Sequence, residues 1–125
     1  PAAVAELRAV ARERLRELGG SGAAPGLGAD GLRVRAVVGP AICGRCYEVP
    51  HALRAEVGAV VPEAAATTSW GTPSLDLPAG VLAQLEAAGV AAHALPVCTR
   101  EDPRLFSHRR DGLTGRFAGV IATRR

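Results

Sequence analysis

The sequence predicts an α+β chain of three helices and about four strands. Three observations carry that prediction. Apolar residues recur at helical spacing in three stretches. Short valine-rich runs alternate as strands do. Glycine or proline stands at the joins between them. At 125 residues the chain is one domain at most.

The elements follow in order. Pro1 to Leu18 reads as a helix, with Pro1 suited to a first helical position. Val4, Leu7, Val10 or Ala11, Leu15 and Leu18 fall on one face, and Gly19-Gly20 ends it. Residues 19–31 are rich in glycine, alanine and proline and read as a flexible loop. Leu32 to Val38 reads as a strand running into the Gly39-Pro40 break. The segment after it therefore lies at a strand's C-terminal end, where ligand loops are often found. Pro50 to Val61 reads as a second helix, with Leu53, Val57 and Val60 or Val61 on one face. Thr67 to Leu77, carrying Trp70, Pro73 and Asp76, reads as extended or turn-like. Leu77 to Ala88 reads as a third helix ended by Gly89, and Val90 to Val97 as a short strand. Cys98 to Thr114 reads as an arginine-rich loop. A last strand is expected over Arg116 to Thr123, from the alternation of Phe117, Gly119 and Ile121. No internal repeat is present.

Composition bounds the function. Hydrophobic residues make up 48% of the chain but aromatics only 3%, so small side chains must fill a core that is thin for its length. The net charge is +3, from 15 Lys+Arg against 12 Asp+Glu, and every cation is arginine. A GC-rich genome accounts for that bias. Nucleic-acid binding is not expected, because the charges form no long patch and no stacking aromatics interleave with them. Three cysteines is an odd number, and with no signal peptide visible a reduced, cytoplasmic protein is the expectation. No run approaches the length of a transmembrane helix, so no membrane partner is expected.

The segment from Phe106 to Arg116 holds three arginines, two glycines and an aspartate in eleven residues. Guanidinium forks match phosphate or carboxylate oxygens, and glycines let backbone turn or approach a ligand closely. Arg109 and Arg110 are the leading anion-binding candidates. Asp111 can instead pair with one of them and pin the loop. Adjacent arginines in an extended loop point to opposite sides, so one is expected to be structural and one to face a ligand. Arg116 is a candidate for the same network.

Cys43-Gly44-Arg45-Cys46 is a CxxC, whose two specific chemistries are zinc binding and redox exchange. A zinc ribbon needs a second knuckle, and in sequence Cys98 stands alone. No thioredoxin-like unit surrounds the pair, so structural or incidental cysteines are expected. Cys98-Thr99 offers a nucleophile, with His93 and His108 as bases, but the order offers no triad. His51, His93 and His108 make no metal site by spacing.

Two loops together carry a resemblance. The first reads GPAICGRCYEV over residues 39–49. The second holds Cys98-Thr99, then Phe106 to Asp111, then Thr114-Gly115-Arg116. They are similar to the bacterial laccase-domain proteins, long called multicopper polyphenol oxidases and understood as zinc-dependent purine nucleoside phosphorylases. That family reads roughly Gly-Pro-Ala-Ile-Gly-x-Cys-Cys-Tyr-Glu-Val in the first loop. Cys43 thus replaces a glycine and Arg45 the first cysteine. The Asp76-Leu77 step and the helix after it also fit. The resemblance runs from about Pro1 to Ile121 and is closest to actinobacterial members.

The resemblance implies an α+β fold of mixed β-sheet layers with helices packed outside, part of a larger domain. Residues 1–125 would be a single, incomplete domain of this type, with the flexible loop at 19–31. The implied reaction is phosphorolysis of adenosine, inosine and methylthioadenosine, with adenosine deaminase activity beside it. Purine nucleosides and phosphate are the implied partners. Arg109, Arg110, Gly39, Pro40, Ala41, Ile42 and Tyr47 are expected at the substrate or phosphate site. Cys98, Thr99, Ser107, His108, Asp111 and Arg116 are expected to stand behind it. Zinc is the implied cofactor of the intact protein, held by two histidines and a cysteine upstream of this chain, so no metal ligand is expected here. The chain, which contains no methionine, is read as the C-terminal half of a larger protein. It would pair with that missing half or form a homo-oligomer. The alternatives are a non-catalytic fragment or assembly module and, third, a copper-dependent polyphenol oxidase. Copper is not expected, since three isolated histidines supply none of the clusters such enzymes need.

Overall fold

A computed structural model describes residues 35–120. The helix expected over 1–18, the loop over 19–31 and the end of the last strand lie outside them. Eight elements follow in order: β1 (Arg35–Val38), α1 (His51–Val60), a 3-10 turn (Pro62–Ala64), β2 (Ala65–Thr67), β3 (Pro73–Leu75), α2 (Leu77–Ala87), β4 (Ala91–Ala94) and α3 (His108–Asp111). Helices combined with one parallel and one antiparallel pair of strands make this an α+β fold.

β1 and β4 pair in parallel, Arg35 opposite Ala91 through Val38 opposite Ala94. A parallel pair needs a crossover, and α1, the small hairpin and α2 supply it. The pairing continues past the strand ends as an isolated parallel bridge between Ala41 and Cys98. That bridge matters for function, because it brings the loop after β1 beside the loop after β4.

β2 and β3 form an antiparallel hairpin with Thr67 opposite Pro73, and its turn contains Gly71. The segment before α1 joins the same ribbon. The Val49 N–H donates to the Pro73 carbonyl (3.0 Å), and the Leu75 N–H to the Tyr47 carbonyl (3.2 Å). The core sits under this ribbon: Val49, Ala64 and Leu75 are buried together, with Tyr47, Val57 and Val61 packed on them.

Two features fix the helices. Arg54 of α1 reaches the Ala66 carbonyl through Nε at 2.7 Å, tying α1 to β2. Asp76 caps α2, its carboxylate accepting from the Ala79 N–H at 3.0 Å. Inside α2, Gly80 is buried where a Cβ would come within 2.9 Å of the Ala64 Cβ. The helix therefore lies close on the 3-10 turn.

Two expectations change. The segment over Cys98 to Thr114 is not wholly loop, since residues 108–111 close into one helical turn that ends at Gly112 with φ +68°. Residues 116–120 form no strand among the described residues. A strand needs a neighbour to receive its backbone hydrogen bonds, and no described strand runs alongside. Among the described residues no helix is long and apolar enough to cross a membrane.

Candidate functional site

Arg109 and Arg110, adjacent in α3, do different things. Arg110 is fully engaged. Its Nε and Nη2 hold both Asp111 carboxylate oxygens at 2.7 and 2.8 Å. Its Nη1 donates to the carbonyls of Thr99 (3.0 Å) and Asp102 (2.9 Å) and more weakly to that of Arg100 (3.4 Å). Its Nη2 also donates to the Leu105 carbonyl at 2.7 Å. A guanidinium has five N–H donors, and these partners use them all. Arg110 thus holds the 99–105 segment against α3. The hydrogen-bonded pair keeps the Asp111 carboxyl below its ordinary range and moves the Arg110 guanidinium above its own.

Arg109 is the opposite case. Its guanidinium carbon stands 4.9 Å from the centroid of the Tyr47 ring, a cation–π contact. Its Nη1 donates to the Glu48 carbonyl at 2.9 Å. No other acceptor among the described residues engages it, so most of its donors remain for a ligand. It borders two clefts. One, of about 440 Å³, is lined by Cys46, Glu48, Val49, Pro50, Trp70, Arg100 and Arg109. The other, of about 260 Å³, is lined by Pro40, Ala41, Ile42, Thr99, Phe106, Ser107, His108, Arg109 and Phe117.

The second cleft gathers residues that lie far apart in sequence. Pro40 to Ile42 come from the loop after β1, Thr99 from the loop after β4, and Ser107 to Arg109 from the start of α3. The Thr99 N–H donates to the Ala41 carbonyl at 3.0 Å, locking the two loops together. Gly39 is exposed at the strand end. Tyr47 is half-buried between the core and Arg109. His108 turns its Nδ1 onto the Gly112 carbonyl of its own turn. Arg116 lies away from Arg110, along a third cleft of about 470 Å³ with Phe106, His108 and Phe117. Gly115 makes a close approach, but to Phe106, whose ring carbons lie 2.7–2.9 Å from where a Cβ would be.

The first cleft contains groups that the sequence did not mark. Arg100 stands over the Trp70 ring at 5.0 Å, and Trp70 Nε1 donates to Glu48 Oε2 at 2.7 Å. Two arginines, each on an aromatic face, thus border one depression. The signals were faint: Trp70 is the single tryptophan of the chain, and Arg100 directly follows Cys98-Thr99.

The three cysteines, all free, also meet. The sulfurs of Cys43, Cys46 and Cys98 and a carboxylate oxygen of Glu101 all lie within 4.8 Å of one another, a group able to hold a metal ion. Sequence distance had isolated Cys98; the parallel strands bring it to the CxxC. Burial pushes the Cys46 thiol up, and hydrogen bonds with Cys43 and Glu101 push the same way, to about 12. Burial also pushes Cys98 up, but hydrogen bonds from Cys43 and from the Glu101 and Arg100 backbone outweigh it, and the net shift is downward. The group around Cys98 is cysteine and carboxylate, with no histidine base among its members.

This fold fragment and site meet a known class. A family model described as multi-copper polyphenol oxidoreductase laccase matches residues 22–124. The chain belongs to that family. Among its relatives, a purine nucleoside phosphorylase of Streptomyces coelicolor is 62% identical over 96 residues, covering 76% of this chain and 40% of that protein. One of Mycobacterium tuberculosis is 50% identical over 96 residues, covering 76% of this chain and 38% of that protein. One of Deinococcus radiodurans is 38% identical over 101 residues, covering 76% and 38%. The chain therefore spans about two fifths of the length of these relatives. No solved structure matches it.

Proposed function

We propose that this chain supplies the phosphate-binding side of a purine nucleoside phosphorylase. The observation that carries the reading is the contrast between two neighbouring arginines. Arg110 has no donor to spare. Arg109 is held by the Tyr47 ring and one carbonyl, which fixes its position and leaves N–H groups for an anion. The names of the relatives support the same class of reaction.

In this reading Arg109, with Arg100 across the first cleft, orients inorganic phosphate. A phosphate oxygen attacks the anomeric carbon of the nucleoside. The glycosidic carbon–nitrogen bond breaks, its electron pair leaves with the purine, and the base takes up a proton. The products are free base and ribose 1-phosphate. The guanidinium donors stabilise the charged phosphate and its developing bond. On the other side of Arg109, the second cleft, walled by Pro40 to Ile42 with Thr99, Ser107 and His108, is left for the nucleoside in this reading.

Adenosine, inosine and methylthioadenosine are the substrates in this reading, and adenosine deamination is its companion activity. The two histidines and one cysteine implied for zinc are expected upstream of this chain. When bound, zinc would supply an activated water for deamination.

Product identity tests the reading. A full-length family member carrying this chain, given inosine, is expected to release hypoxanthine and ribose 1-phosphate only when phosphate is present. Release of free ribose at the same rate without phosphate would show hydrolysis and contradict it.

One observation favours a second reading, an assembly module. Val60 is 78% exposed and Val37 58%, and Val37 lies on a strand of a two-stranded parallel sheet. Parallel sheets are normally covered on both faces. The exposed strand face at Val37 is suited to packing against further protein, whether a missing half or a second copy.

A further inference from the structure

We propose that Cys43, Cys46, Cys98 and Glu101 form a metal site of this chain's own, selective for a zinc-like divalent cation and distinct from the histidine-containing site expected upstream. Two matching turns build it. In the first, the Cys43 carbonyl accepts from the N–H groups of Cys46 (2.9 Å) and Tyr47 (3.0 Å). In the second, the Cys98 carbonyl accepts from those of Glu101 (3.1 Å) and Asp102 (2.9 Å). Each turn therefore presents ligands at its first and fourth residues, Cys-x-x-Cys in one and Cys-x-x-Glu in the other. That is the spacing of a zinc knuckle. The knuckle missing from the sequence pattern is present, with a carboxylate in place of its second thiol.

The donors suit the ion. Three thiolates and one carboxylate make a four-ligand set of donor types that zinc accepts, and soft sulfur disfavours magnesium or calcium. With Zn–S near 2.3 Å, the edges of a tetrahedral site are roughly 3.5–3.8 Å. Cys46 Sγ and Glu101 Oε1 already stand 3.4 Å apart. The outermost pair lies within 4.8 Å, so small side-chain rotations close the set.

The surroundings fit as well. The Cys43 N–H points at Cys98 Sγ at 3.4 Å, a donor that steadies sulfur charge. Arg45 Nη2 lies 3.8 Å from Glu101 Oε2, orienting the carboxylate while the other oxygen faces Cys46. Arg100 donates to the Cys46 carbonyl at 3.4 Å. Two guanidiniums thus adjoin a site that three thiolates, a carboxylate and a divalent ion would leave doubly negative. Such outer contacts tune metal sites. On binding, each thiol still protonated releases its proton to solvent. The bound ion would fasten the loop after β1 to the loop after β4 beside the Arg109 clefts.

Metal titration of the full 125-residue chain, reduced and stripped with chelator, tests this. The expected result is one zinc per chain. Cobalt in its place should give an intense near-ultraviolet sulfur-to-cobalt band. Cys98→Ser should abolish stoichiometric binding. Glu101→Gln, at a side chain 53% exposed, should fold normally. It should keep the sulfur band while weakening zinc by at least the roughly ten- to hundredfold that outer contacts are worth. Absence of stoichiometric zinc, an unchanged Kd in both variants, or a Cys43–Cys46 disulfide forming in preference to the metal complex would overturn the proposal.

Discussion

At the scale of single residues, neighbours of the same type are engaged very differently. Arg109 and Arg110 are indistinguishable by composition, yet one is a loop pin and the other is open to two clefts. Reasoning from an extended loop led to the expectation that the pair would split, but not which residue would take which part. That depended on carbonyls of residues 99–105 converging on one guanidinium, which no local pattern records. Asp102 shows the same loop economy. Arg104 holds its carboxylate through Nε at 3.0 Å and Nη2 at 2.7 Å, and the Arg104 backbone N–H adds a third bond. These bonds lower the Asp102 carboxyl to about 2. Because that value is depressed, the contribution is complete above the unfolded carboxylate range near 4 and is lost as pH falls through about 2. Pepsin cleavage of the 98–105 segment should therefore be slow down to about pH 4 and rise towards pH 2. In Arg104→Ala, which removes the main cause of the depressed carboxyl, cleavage should already be faster at pH 4 and this rise towards pH 2 should flatten; an identical profile in the two proteins would contradict this role.

At the scale of elements, the site rests on how closely the 43–46 turn is pressed onto its neighbours. A Cβ on Gly44 would stand 2.8 Å from the Asp76 Cβ and 3.1 Å from that of Ala66. Its carbonyl accepts from the hydroxyl of Ser74, a fully buried residue, at 2.6 Å. The turn is thus wedged between the hairpin and the cap of α2. Gly44→Ala should lower stability by about 1–3 kcal/mol through overpacking, seen as a lower urea midpoint at unchanged slope. An unchanged midpoint would mean that Asp76 moves aside freely. Helix α1 was legible from apolar spacing, α2 from its Gly89 boundary, and β1 from valine-rich alternation, while β4 was read only as a short strand. The helical turn of residues 108–111 was hidden because four residues carry too little periodicity. The strand expected from Arg116 was read from alternation alone, and among the described residues no strand lies beside residues 116–120 to pair with them.

At the scale of the whole molecule, the parallel pairing of β1 with β4 is what makes a site. It sets two loops, more than fifty residues apart in sequence, side by side at one end of the strands. The Ala41–Cys98 bridge and the Thr99–Ala41 hydrogen bond continue that contact. The resemblance placed both loops at one site, but spacing alone gave no contact between Cys98 and the CxxC, so Cys98 looked solitary as a ligand and Trp70, Arg100 and Glu101 went unmarked. A repeated spacing, Cys-x-x-Cys and later Cys-x-x-Glu, was the available clue. The chain spans about two fifths of the length of its relatives, so the proposed reaction is tested in a full-length protein. The most direct test is the phosphate dependence of inosine phosphorolysis in a full-length family member carrying this chain, wild type against Arg109→Ala. Loss of a hydrogen-bonded charge contact worth about 1.5–3 kcal/mol should raise the KM for phosphate roughly 10- to 100-fold, with the KM for inosine far less affected. A phosphate KM unchanged in Arg109→Ala would contradict the assignment of this cleft to the anion.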